Sequence, residues 1–201
     1  MGDATDRPPH RIVLTGGPGG GKTTAADLMR REVGDRIVIV PEAATMLFSG
    51  GFPRHQEVHA KRSAQKAIYH VQRNLEDIHS ALYPERLLLC DRGTLDSAVY
   101  WPEEGDRDFF SSLTTTVEEE IDRYDAVIFF ETAAVGNLSI EGGNPVRTES
   151  IEEAIAIDRR LQGIWSRHDN FIFIPHEKSF FAKLQFGLEK LITMLEGDRN
   201  G

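Results

Sequence analysis

Gly16-Gly17-Pro18-Gly19-Gly20-Gly21-Lys22-Thr23 satisfies the phosphate-loop pattern G-x-x-x-x-G-K-[ST] at every required position. Glycine has no Cβ, so the backbone N–H groups of Gly17, Gly19, Gly20 and Gly21 can converge on one anion. A helix opening at Lys22-Thr23-Thr24 would add unsatisfied donors and partial positive charge beneath the same phosphates. Lys22 has the reach for the β- and γ-phosphates, and the Thr23 hydroxyl is a Mg²⁺ ligand type. The chemistry on offer is the binding of a nucleoside triphosphate with its magnesium.

Other candidates stand just after apolar runs. Ile37-Val38-Ile39-Val40 is followed by Pro41-Glu42, Leu87-Leu88-Leu89-Cys90 by Asp91-Arg92-Gly93, and Val127-Ile128-Phe129-Phe130 by Glu131-Thr132. Ligands of open α/β sheets bind outside the carboxyl ends of the strands, so these positions are expected to share one crevice with the phosphate loop. Four apolar residues and then a carboxylate give Asp91 the pattern of a Mg²⁺-holding acid. Arg92 beside it suits a clamp on a transferred phosphoryl group; a strand-end turn with a surface ion pair is the alternative. Glu42 has two readings as well. It is a base that orients an acceptor hydroxyl, or an acid favoured at the start of the helical segment Ala43-Ala44-Thr45-Met46-Leu47.

The elements that must position these residues follow from the apolar pattern. Short runs at 11–15, 36–40, 86–90, 126–131 and 171–174 lack strict alternation, which suits strands buried on both faces. Helical patterns lie between them at 23–33, 59–83, 109–123 and 150–168, with a last one at 179–195. Alternating strands and helices imply a parallel α/β sheet with helices on both faces. With 201 residues and no repeat or linker, one domain is expected, its core at about 10–195.

Composition restricts the partners. A net charge of −9 argues against nucleic acid or an anionic membrane as the main partner. No run approaches the roughly 18 apolar residues of a membrane span, and the first ten residues lack the apolar centre of a signal peptide. A cytoplasmic location is the expectation. The single cysteine, Cys90, sits in an apolar run and reads as a core residue.

Two irregular stretches interrupt the alternation, Phe48-Ser49-Gly50-Gly51-Phe52-Pro53-Arg54-His55 and residues 136–148, and such loops are more often functional than connecting. The second ends in Val146-Arg147-Thr148. An arginine on a mobile flap suits phosphoryl transfer, because closure excludes water and meets developing charge. Arg159 and Arg160, on the helix that follows, fit that role or a solvated face equally. Gln65 and Gln72 are seven residues apart on one helical face, as readers of a base-like acceptor or as surface polar groups. Trp101 and Trp165 read as packing residues.

With the phosphate loop, Pro41-Glu42-Ala43-Ala44, Asp91-Arg92-Gly93 and Val146-Arg147-Thr148 together, the chain resembles the kinase-like P-loop ATPases of the AAA_28 group. That group includes the ribosylnicotinamide kinase domain of bifunctional NAD regulators. More distantly the chain looks like the deoxynucleoside and nucleoside monophosphate kinases. The resemblance spans about residues 10–195. It implies a three-layer P-loop NTPase: a five-stranded parallel sheet flanked by helices, an acceptor-binding helical region and a LID at about 136–160. It also implies Glu42 near the acceptor hydroxyl, Asp91 and Arg92 beside the phosphates and Arg147 as a LID arginine. Pro175-His176-Glu177-Lys178 matches the region that borders adenine in such folds. The segment from Phe48 to His59 carries no recognisable acceptor signature.

The expected function is therefore transfer of the ATP γ-phosphate, with Mg²⁺, to a nucleoside- or nucleotide-like small molecule. A slow ATPase that signals nucleotide occupancy to a protein partner is the second reading, and a polynucleotide 5′-hydroxyl kinase a more distant third. A GTPase is disfavoured, because Thr94 stands where D-x-x-G needs glycine and no N-K-x-D string occurs.

Overall fold

The computed structural model describes residues 11–102, 107–136, 150–177 and 179–197. Five strands, β1 (Arg11–Thr15), β2 (Ile37–Val40), β3 (Leu87–Asp91), β4 (Ala126–Phe130) and β5 (Phe171–Ile174), form one sheet in the order β2-β3-β1-β4-β5. Every pairing is parallel. Between the strands run α1 (Lys22–Val33), α2 (Ala43–Ser49), α3 (Val58–Leu82), α4 (Asp96–Val99), α5 (Arg107–Ser111), α6 (Val117–Ile121) and α7 (Ile151–Trp165). The last helix, α8 (Phe180–Gly197), follows β5.

The core divides into two faces, as the two-residue side-chain period of a strand demands. Ile12 and Leu14 of β1 pack with Ala25 and Met29 of α1 and with Leu184 and Leu191 of α8. Val13 faces the other way, into a cluster with Tyr69 of α3, Phe109 of α5 and Trp165 of α7. Helices therefore cover both faces, giving the expected three layers. The central strands β3 and β4 are buried throughout, whereas the edge strands β2 and β5 are half-buried. Among the described residues, no helix is long and apolar enough to cross a membrane.

Two elements depart from the expectation. Residues 109–123 form two short helices rather than one, because Thr114 takes a left-handed φ of 57° and ends the first. Thr116 then starts α6 with a capping box: its hydroxyl accepts the Glu119 N–H, and Glu119 in turn accepts the Thr116 N–H. Helix α4, just beyond Asp91-Arg92-Gly93, was not anticipated; at four residues it is too short for a periodic signal. Of the expected LID, only Gly136 and the stretch from Ser150 onward are described, the latter as the cap and first turns of α7. Arg147 lies outside the described residues.

Candidate active site

The sheet order brings the phosphate loop to the middle of the molecule. β1 lies between β3 and β4, so the loop that follows it emerges beside Asp91 on one flank and Phe130-Glu131-Thr132 on the other. Its glycines are needed for packing as well as for anion approach. A Cβ on Gly16 would lie 2.0 Å from the Phe130 carbonyl oxygen. Gly21 holds φ at 89° and is the N-cap of α1, whose first turn carries no acidic residue. The helix N-terminus is thus left open to an anion.

Lys22 is buried, and its ammonium donates to the carbonyls of Gly16 and Gly17, both at 2.8 Å. Thr23 donates its hydroxyl to Asp91 Oδ2 at 2.8 Å, joining the start of α1 to the end of β3. Burial, and after it the negative charge of Glu42, raises the Asp91 carboxyl above its usual range, against the pull of Lys22. A hydroxyl and a carboxylate side by side are the oxygen donors magnesium accepts. Among the described residues no group of three or more His, Cys, Asp or Glu forms a metal cage.

Glu42 occupies the N-cap position of α2 but does not cap it. Its carboxylate accepts the Thr45 hydroxyl and the Arg92 Nε–H, each at 2.6 Å. Burial alone would raise its pKa; Arg92, Thr45 and Lys22 together outweigh that and hold it below the usual carboxylate range. Glu42 is thereby kept ionised. Arg92, buried and at φ 74°, spans from Glu42 to Asp96, its second nitrogen donating to Asp96 Oδ2 at 2.8 Å. Asp96 also accepts the Thr15 hydroxyl at 2.9 Å and the Trp165 indole N–H at 2.7 Å. Trp165 therefore does more than pack.

A cavity of about 460 Å³ opens beside Pro18 of the loop. Glu42, Arg92 and Asp96 line it together with Phe48, Gln65, Tyr100 and Trp101, while Arg54, Lys61 and Arg160 add positive charge. Gln65 thus faces the cavity. Gln72 does not: its carbonyl accepts the Ala43 N–H at 3.1 Å and its amide donates to Glu76, so it ties α2 to α3. Of the two arginines on α7, Arg160 lines the cavity and both are exposed. His176, in the segment expected near adenine, donates its backbone N–H to Glu131 at 2.6 Å.

Three positions escaped sequence reasoning, Asp96, Asp158 and Lys183, whereas Thr132 was among the expected post-strand positions. Asp158 of α7 accepts the Gly17 N–H at 2.7 Å and the Thr132 N–H at 2.9 Å. Thr132 donates its hydroxyl to the Pro18 carbonyl. Lys183 of α8 donates to the carbonyls of Gly20 and Glu131. Only Asp96 had a local signal, its i+4 spacing from Arg92.

The family model AAA_28, described as an AAA domain, matches residues 11–180. The chain belongs to the AAA_28 family. Among solved structures, the AAA_28 chain is similar to thymidylate kinase from Ehrlichia chaffeensis, with a TM-score of 0.62 and 16% identity over 92% of this chain and 97% of that one. It is also similar to deoxyadenosine kinase from M. mycoides, solved with bound dATP, with a TM-score of 0.59 and 14% identity over 90% and 99% of the two chains. At such identities the likeness establishes a nucleoside- and nucleotide-kinase-like P-loop fold. No curated protein sequence matches the chain significantly.

Proposed function

We propose that this chain is an ATP-dependent kinase of a nucleoside-like small molecule. The observation that carries the reading is the cavity beside the phosphate loop, with Glu42 held ionised in its wall. A nucleotide-binding regulator needs the loop but not an adjoining pocket with a carboxylate placed for an acceptor. The phosphate loop, Lys22 and Thr24 hold the triphosphate through backbone N–H groups, the ammonium and the helix terminus. Thr23 and Asp91 are the residues that would hold Mg²⁺, which supplies charge neutralisation between the β- and γ-phosphates. Glu42 accepts a hydrogen bond from the acceptor hydroxyl and aims it at the γ-phosphate. Arg92 keeps Glu42 in place and, with Arg147 from the LID, opposes the charge on the transferring group. Phe48 and Tyr100 line the cavity where a planar base would lie, and Gln65 offers an amide for its edge.

A coupled ADP-release assay with MgATP, with and without nucleosides, nucleoside monophosphates and nicotinamide riboside, tests the proposal. A large rise in rate with one compound supports it. A slow rate that none of them changes rejects it and favours the nucleotide-gated regulator. Glu42→Gln is expected to lower kcat for that acceptor by about 10²-fold, the lower end of what a positioned base contributes. KM for ATP should change little, since Asp96 still holds Arg92. An unchanged kcat would remove Glu42 from the proposed role.

A further inference from the structure

We infer that Lys183 of α8 is a positioning residue that sets the phosphate loop from outside, by holding the Gly20 carbonyl away from the phosphates. The inference rests on the reading of this loop as a nucleotide site. Lys183 is 2% exposed, and its ammonium donates to the Gly20 carbonyl at 3.0 Å and to the Glu131 carbonyl at the end of β4. A trans peptide is planar, with its C=O and N–H opposed. Fixing the Gly20 oxygen toward α8 therefore turns the Gly21 N–H the other way, toward the open start of α1. Thr132 does the same two residues earlier, holding the Pro18 carbonyl and so orienting the Gly19 N–H. Asp158 takes the outward-facing Gly17 N–H, whose peptide partner, the Gly16 carbonyl, faces Lys22 on the inside.

The loop is thus held from two sides: the Gly16 and Gly17 carbonyls meet Lys22, the Gly17 carbonyl also takes the Gly20 N–H, and the Gly17 N–H and the Pro18 and Gly20 carbonyls meet α7, α8 and the segment after β4. Burying a lysine is costly, and most such residues are replaced or exposed unless their donors are used. Here two donors are used, and the Phe130 ring lies 5.8 Å from the nitrogen. Burial lowers the Lys183 pKa to about 8, against the opposing carboxylates of Asp158 on α7 and Glu131 after β4. The ammonium is charged below that pH and loses its proton as pH rises through it.

Calorimetric titration of the purified full chain with MgADP tests the inference. Lys183→Met is expected to weaken binding about 10- to 100-fold, the scale of losing hydrogen bonds to a charged group, while circular dichroism shows the fold retained. The native chain should bind progressively less tightly from pH 7 to pH 9.5, and the variant should lose that decline. A merely structural lysine would not produce the decline. Equal affinity in the two proteins would overturn the inference. So would a native affinity that does not change over that range, a readout that stands even where the variant fails to fold. A native chain that binds no MgADP at any pH would overturn the nucleotide-site reading itself, an outcome distinct from either.

Discussion

Alanine at Lys22 is expected to reduce phosphoryl transfer by about 10²–10³-fold while leaving the fold intact. Removing one preorganised charge from a transition state costs about that much. The side chain has two duties. Its ammonium fastens the Gly16 and Gly17 carbonyls, which shapes the first half of the loop, and on the proposed reading it is the cation that meets the β- and γ-phosphates. Truncation removes both, so MgATP affinity and kcat should fall together. Lys22 is also one of the charges holding Glu42 below its usual pKa. Its loss should move the acid limb of the pH–rate profile to higher pH, because Glu42 would then take up a proton sooner. Steady-state rates across pH, with circular dichroism as the control for folding, check all three effects. Normal turnover in a folded Lys22→Ala protein would remove the lysine from the mechanism.

The largest loss of stability is expected at Asp96. Its carboxylate gathers Thr15 of β1, Arg92 after β3 and Trp165 of α7, and all four residues are buried. Asp96→Ala leaves the Arg92 guanidinium with Glu42 as its remaining carboxylate and strands the indole N–H and the threonine hydroxyl. Losing one of two carboxylates from a buried arginine while leaving two buried donors unpaired costs about 3–5 kcal/mol. For a chain of this size that lowers Tm by roughly 10 °C. Asp96→Asn keeps an acceptor and should cost about half as much. Thermal unfolding followed by circular dichroism reads both; a shift of only one or two degrees for alanine would show that the network relaxes around the gap.

Much of this molecule is legible along the chain because the signals are local. Strand, glycine loop and helix at residues 11–33 are contiguous, and the φ demands of Gly21 and the approach of Gly16 to Phe130 explain why glycine recurs there. The apolar runs mark all five strands to within one residue at each end, since strands buried on both faces must be apolar throughout. The break at Thr114 was hidden, because the turn that ends α5 carries neither glycine nor proline. Arg92 reads in sequence as a phosphoryl clamp or one half of a surface ion pair, and the fold buries it between two carboxylates.

The sequence alone determined that a phosphate loop, an acid after β2 and an acid at the end of β3 exist, and which ends of the strands carry them. The tertiary structure alone decided what holds them. Gly17 meets Asp158 across 141 residues, Asp96 meets Trp165 across 69, and Gly20 meets Lys183 across 163. No periodicity or spacing encodes such pairs. They form only because the order β2-β3-β1-β4-β5 sets the loop between β3 and β4, where α7 and α8 can reach its outward-facing peptide groups.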